Sequence, residues 1–129
     1  MTAGQIDRTA SCVCGALAVE CRGEPVSVSL CNCMDCQRRT GSAFGIAAFF
    51  DRQKLRIRGQ SSRYTRRSDE GHEFRFFFCP RCGGTVYWET AKKAGIVAVA
   101  AGAFADADFP APTQSVFEDH RHPWLRFTF

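Results

Sequence analysis

Seven of the eight cysteines in this 129-residue chain fall into three tight groups. Cys12 and Cys14 form CxC, Cys31, Cys33 and Cys36 form CxCxxC, and Cys79 and Cys82 form CxxC. Thiols spaced this closely make a ligand set for zinc. A closed structural zinc takes four protein ligands in a tetrahedron, whereas a working zinc takes three and keeps a position for water or substrate. Seven thiols divide into one set of each kind.

The run Cys79-Pro80-Arg81-Cys82-Gly83-Gly84 has the form of a zinc knuckle, in which glycine lets the backbone turn so that both sulfurs face one ion. One knuckle supplies two ligands. Cys12 and Cys14, followed by Gly15, form its natural partner, so a structural site is expected to tie the N-terminal strand to a hairpin of the C-terminal half. Cys31, Cys33 and Cys36 supply three ligands within six residues. Three thiolates make an ion a poor Lewis acid for splitting water but suit it to binding a substrate thiol as a nucleophilic thiolate. Thiol or carbon–sulfur chemistry is therefore expected over hydrolysis. Cys21 is the alternative fourth ligand, but it shares strand parity with Leu17 and Val19 and reads as a buried core thiol. Arg38, Arg39 and Arg81 adjoin the groups in sequence, as candidates to offset thiolate charge or to hold a substrate carboxylate, or as plain surface arginines.

Eight cysteines also invite a disulfide framework. Cysteines one residue apart alternate sides of a strand and do not readily meet disulfide geometry. The opening MTAGQIDRTA lacks the apolar core of a signal peptide, so a cytoplasmic location is expected. A redox dithiol at Cys79 and Cys82 is the remaining alternative. The longest uncharged stretch, residues 94–105, is short of the ~20 residues a membrane span requires. The formal charge is +4 with neutral thiols. Seven bound thiolates subtract seven charges and two zinc ions add four, which leaves +1.

The elements that must position these groups are strands. Leu17, Val19 and Cys21 share one face, and Val26, Val28 and Leu30 alternate with Ser27 and Ser29 leading into the CxCxxC group. Residues 44–50, 74–78 and 85–89 read as strands buried on one or both faces, and 96–103, helix or strand by composition, reads as strand from its length, valines and Gly102. One short helix is expected after Cys33, ending near Gly41. The fold class is mainly β, a single domain over 1–129 with its core at about 11–125. Within 51–67 lie seven basic residues, of which Arg52, Lys54, Arg56 and Arg58 recur at period two. They predict a strand with a cationic face, either a solvated edge or an anion-binding wall. The twelve phenylalanines suit a packed β core or an apolar pocket. His120 and His122 read as surface residues near a tail that Trp124 anchors in the core, or as a base that reaches the metal.

In order, the chain shows CxCG, then CxCxxC followed by Arg38-x-Thr40-Gly41-Ser42-x-Phe44, then Phe78-Cys79-Pro80-x-Cys82-Gly83, and a late Pro123-Trp124. Over residues 11–125 this resembles the glutathione-dependent formaldehyde-activating family, which also includes centromere protein V. The resemblance implies a complex of coiled antiparallel sheets similar to the zinc-binding β fold of methionine sulfoxide reductase B. It implies two zinc ions, a structural one on Cys12, Cys14, Cys79 and Cys82 and a catalytic one on Cys31, Cys33 and Cys36. The implied activity is that of a carbon–sulfur lyase joining glutathione to formaldehyde as S-hydroxymethylglutathione. Arg38, Arg39, Arg81 and the basic strand at 52–58 are then candidate holders of glutathione carboxylates. Many members carry His between the first two cysteines of the central group and Arg after the third. Asn32 and Gln37 stand there in this chain, so the thiol and the electrophile stay open, as does the oligomeric state. Zinc is the default metal for thiolates, with iron the alternative. The competing reading is a non-catalytic zinc-dependent module, either a thiol carrier or a nucleic-acid or chromatin binder using the basic residues near Tyr64. The small zinc-corrected charge and the lack of a long basic tail count against nucleic acid.

Overall fold

A computed structural model describes residues 6–129, and the first five residues of the opening stretch lie outside it. Ten strands follow in chain order around one helix. They are β1 (Asp7–Ser11), β2 (Ala18–Arg22), β3 (Ser27–Cys31), then α1 (Met34–Thr40), β4 (Gly45–Asp51), β5 (Leu55–Arg58), β6 (Ser62–Arg67), β7 (Glu73–Phe78), β8 (Thr85–Thr90), β9 (Ile96–Ala100) and β10 (Gln114–Val116). The chain is mainly β, as its alternating patterns predict.

β1, β2 and β5 form a three-stranded antiparallel sheet, and the other seven order as β10-β3-β4-β9-β8-β7-β6. Within the larger sheet β10 joins β3 in parallel and the remaining pairs are antiparallel. The register sorts side chains onto two faces. Val28, Ala48, Phe50, Val97, Val99 and Tyr87 point to one face and pack with Ala10, Leu17, Val19 and Cys21 of the smaller sheet in one core. Phe50 is fully buried there. Truncating such a side chain to alanine costs about 3–5 kcal/mol. The opposite face carries Ser29, Ala47, Ala98, Trp88, Phe76 and Phe74 across five strands, and it is the face that α1 and the three-cysteine group adjoin.

Several expectations needed correction. Val26 precedes β3 and is exposed, because the chain enters the sheet only at Ser27. The strand expected over 96–103 stops at Ala100, where a 3-10 turn, Ala101–Phe104, redirects the chain to bury Phe104. The period-two basic run is half strand: Arg52–Lys54 form a 3-10 turn capped by the Asp51 carboxylate, and only Leu55–Arg58 pair with β2. Trp124 does not anchor the tail in the core. It is 70% exposed, with its ring 5.1 Å from that of His122, and the tail is instead held by polar contacts and by Phe127 packing edge-on against Phe44 at 5.5 Å. Among the described residues no helix is long and apolar enough to cross a membrane.

Candidate metal centres

The cysteines gather into two groups, as their spacing predicts. Cys12 and Cys14 follow β1, Cys79 and Cys82 occupy the turn between β7 and β8, and all four sulfurs lie within 4.8 Å of one another. Cys12 Sγ is 3.7 Å from Cys14 Sγ, which is 3.6 Å from Cys79 Sγ. A tetrahedron of sulfurs bonded to zinc at 2.3 Å has edges of about 3.8 Å, so the four thiols fit the ion without rearrangement. The backbone is folded for the task. Gly15 and Gly83 take left-handed φ angles of 80° and 79° and close turns onto the carbonyls of Cys12 and Cys79. These turns aim amides at sulfur: Leu17 N–H donates to Cys12 Sγ and Arg81 N–H to Cys79 Sγ, each at 3.3 Å. A Cβ on Gly84 would stand 3.4 Å from that of Cys12, so the two cysteine turns pack in direct contact.

Cys31, at the end of β3, and Cys33 and Cys36, at the start of α1, form the second group, again within 4.8 Å. Cys33 is the N-cap of α1, and its sulfur accepts the Cys36 N–H at 3.4 Å. The helix ends where expected, at Gly41 with φ 67°. Among the described residues no fourth His, Cys, Asp or Glu joins these three. Cys21 is 1% exposed in the core, and burial pushes its thiol up to about 12. It therefore belongs to the packing and not to either group. Within the trio the thiols share protons. Hydrogen bonding to Cys31 first, and then Cys33 and the Arg39 cation, pull Cys36 down to about 6, while the reciprocal bond to Cys36 and burial push Cys31 up.

Of the three candidate arginines, the structure brings Arg39 alone to this group. Its guanidinium carbon lies 4.2 Å from the centroid of the Trp88 ring, and its charge acts on Cys36. Burial pulls its pKa below the ordinary value, opposed by the Cys36 thiolate. Gly45 makes the room, since a Cβ there would stand 2.6 Å from Arg39 Nη2. Arg38 and Arg81 are exposed, and Arg81 meets the four-sulfur group through its backbone. In the basic strand Arg58 pairs with Glu20, and Arg52 pairs with Glu89 at 2.7 Å, so neither is an uncommitted cation. A cavity of about 410 Å³ lies beside Arg39, lined by Arg39, Phe44, Gly45, Gly83, Gly84 and Ala100 among others.

Asn32 and Gln37 take roles that spacing could not show. Asn32 is fully buried between two cysteines, and its Nδ2 donates to Ser115 Oγ and the Val116 carbonyl at 2.9 Å and to Glu118 Oε2 at 3.2 Å. Gln37 Nε2 donates to the Asn32 carbonyl at 2.8 Å and to that of His120 at 3.2 Å. Its Oε1 faces His122 Nε2 at 3.0 Å. His120 and His122 thus brace the three-sulfur loop through Gln37. Glu118 and Trp88 were missed as site residues because each arrives from a strand or tail distant in sequence, and Gly45 because its role shows only where β4 passes Arg39. No local signal marks them.

A profile of one protein family, described as glutathione-dependent formaldehyde-activating enzyme, matches residues 7–120. No curated protein sequence matches the chain significantly. A crystal structure of a Rhodobacter sphaeroides protein superimposes with a TM-score of 0.59 at 22% identity, covering 83% of this chain and 98% of that one. At that identity the likeness is one of fold.

Proposed function

The chain belongs to the glutathione-dependent formaldehyde-activating enzyme family, and on that premise we propose that it is a zinc-dependent carbon–sulfur lyase. In this reading it forms and cleaves an S-hydroxymethyl adduct of glutathione or a closely similar thiol. The observation that carries it is the convergence of Cys31, Cys33 and Cys36 with no fourth ligating side chain among the described residues. Cys12, Cys14, Cys79 and Cys82 are assigned to a structural zinc, making two ions per chain, and the whole chain acts as one domain in the reducing cytoplasm.

Zinc bound by the three sulfurs supplies the positive charge that keeps a fourth, substrate sulfur deprotonated near neutral pH. The chain's residues do the rest. Arg39 offsets the negative charge of the thiolates, and its seat between Trp88 and Gly45 fixes where that charge sits. Asn32 and Gln37 hold the loop that carries the sulfurs. The cavity beside Arg39 has the volume of a small-ligand site. Overall, the substrate sulfur exchanges its bond to hydrogen for one to the formaldehyde carbon, and the carbonyl oxygen takes up a proton. Cleavage is the reverse.

Exchange NMR on glutathione and formaldehyde at equilibrium tests this directly. The zinc-loaded protein is expected to broaden and exchange the adduct resonances faster than buffer alone does. An exchange rate equal to that of buffer ends the formaldehyde reading.

A further inference from the structure

Arg66 was one of seven basic residues in a run with no evident tie to the cysteines, yet the fold carries it to them. It sits on β6, the edge strand of the large sheet, opposite Phe74 of β7 and on the same face as Phe76. Its guanidinium carbon lies 4.9 Å from the Phe74 ring centroid and 5.3 Å from that of Phe76. Phe76 in turn packs on Trp88 at 5.7 Å, and Trp88 underlies Arg39. A row of aromatic rings thus runs from the three-sulfur group to Arg66. Arg66 Nη1 is 3.3 Å from Asp35 Oδ2, and Asp35 lies on α1 between Cys33 and Cys36.

That ion pair is a loose one. It joins one nitrogen to one oxygen, the Asp35 side chain is 52% exposed, and among the described residues Arg66 makes no other side-chain ion pair or hydrogen bond. Three other arginines are committed: Arg39 lies over Trp88, Arg52 holds Glu89, and Arg75 bridges Glu73 and Glu89. Two aromatic rings hold the Arg66 plane still, so little rotamer freedom is left to lose when a ligand arrives. An arginine fork with unused donors is matched to a carboxylate.

We propose that Arg66 anchors a carboxylate of the thiol substrate, and that Asp35 occupies the guanidinium until that carboxylate displaces it. This inference rests on the three-sulfur group as the thiol site, and it makes Arg66 the residue that selects carboxylate-bearing thiols over neutral ones. The sulfur is bound at the cysteines, the body of the thiol crosses the aromatic row, and the carboxylate is received at the sheet edge.

The test uses the full chain with cobalt in place of zinc and reads the sulfur-to-cobalt charge-transfer band as thiol is titrated, which requires no turnover. Glutathione is compared with 2-mercaptoethanol, which has no carboxylate. Arg66→Ala is expected to weaken glutathione by about tenfold or more relative to 2-mercaptoethanol, the loss of a charge-assisted hydrogen bond. Arg66→Lys restores part of that ratio. Asp35→Asn leaves Arg66 in place, removes its competitor and shifts the ratio about threefold toward glutathione. Equal changes for both thiols in Arg66→Ala, or no shift in Asp35→Asn, overturn the proposal. A changed ratio in a protein that does not speed formaldehyde exchange upholds the anchor and rejects the formaldehyde reading. If neither thiol perturbs the band, the three-sulfur group is not a thiol site and the anchor falls with it.

Discussion

The side-chain amide of Gln37 donates to the main-chain carbonyl of Asn32 across 2.8 Å, joining the residue after the last cysteine of the CxCxxC group to the residue between the first two. The same side chain reaches the His120 carbonyl and His122 Nε2. One glutamine therefore closes the loop on itself and fastens it to the tail. Partners of this kind hold ligands in the geometry a metal needs, and their loss typically costs 10- to 100-fold in metal affinity. Gln37→Leu is accordingly expected to weaken one of two bound zinc ions by about that factor and to leave the other unchanged. Chelator competition on the loaded protein, scored as two separate zinc equivalents, reads both. A loss shared equally by the two ions counts against the brace.

The two sulfur groups predict opposite phenotypes for the same chemical change. Cys82 belongs to a set that ties the end of β1 to the β7–β8 turn, and a structural zinc contributes folding free energy outright. Cys82→Ser is expected to lower Tm by more than about 10 °C, because a few kcal/mol moves the midpoint of a domain this size that far. Cys36→Ser removes a ligand from the first turn of a short helix, so Tm should fall by only a few degrees while one zinc equivalent and all thiol exchange disappear. Circular dichroism melts beside metal analysis give the comparison. Similar melting losses in the two variants argue against a division between closed and working sites.

Local signals made the two sulfur groups, the helix ending at Gly41 and the mainly β class legible, because knuckle glycines, cysteine spacing and period-two alternation act over a few residues. What stayed hidden arrives through register. Arg66 meets Asp35 only because β6 is the outer strand beside β7, and Trp88 underlies Arg39 because β8 lies two strands from β4. The same holds for Asn32, whose role comes from the parallel strand β10 and the tail beyond it. Trp124 misled for the opposite reason. A tryptophan near a terminus suggests an anchor, but the tail's polar contacts to Gln37 already fix it and leave the indole exposed.

Cys21 and Cys36 should differ sharply as nucleophiles once metal is removed. Burial puts Cys21 at about 12, whereas hydrogen bonding from Cys31, then Cys33 and Arg39, puts Cys36 at about 6. At pH 7.5 the second is largely thiolate, and the first holds its proton in all but about one molecule in thirty thousand. Iodoacetamide with peptide mapping is expected to label Cys36 early and Cys21 only after denaturation. The rate at Cys36 should level off above pH 7, since its titration is then over. The Cys21 shift also bears on stability. An unfolded thiol loses its proton near pH 8.5 and the folded one near 12, so this group's contribution falls as pH climbs between those values. Comparable early labelling of Cys21 would show that it is not part of the core.

Two glycine-to-alanine changes separate support of the site from support of the fold. At Gly59 the backbone φ is 94° and an added Cβ would meet the Ala16 carbonyl oxygen at 1.9 Å. Neither the angle nor the main chain can give, so Gly59→Ala is expected to cost more than about 2 kcal/mol and to lower Tm accordingly. At Gly45 the nearest atom, at 2.6 Å, is Arg39 Nη2, the far end of a flexible side chain, and no left-handed angle is involved. There the neighbour yields: the guanidinium is pushed from its seat over Trp88 and away from Cys36, while the strand keeps its register with β3 and β9. Gly45→Ala should therefore melt within a few degrees of the parent but lose thiol exchange by about tenfold, equivalent to about 1.4 kcal/mol at the transition state. Arg39→Met is expected to match that loss, and the double variant to add little to either, since both changes remove the same cation from the same sulfur. If the two losses instead multiply, the cation acts on exchange by a route that does not pass through its seat at Gly45.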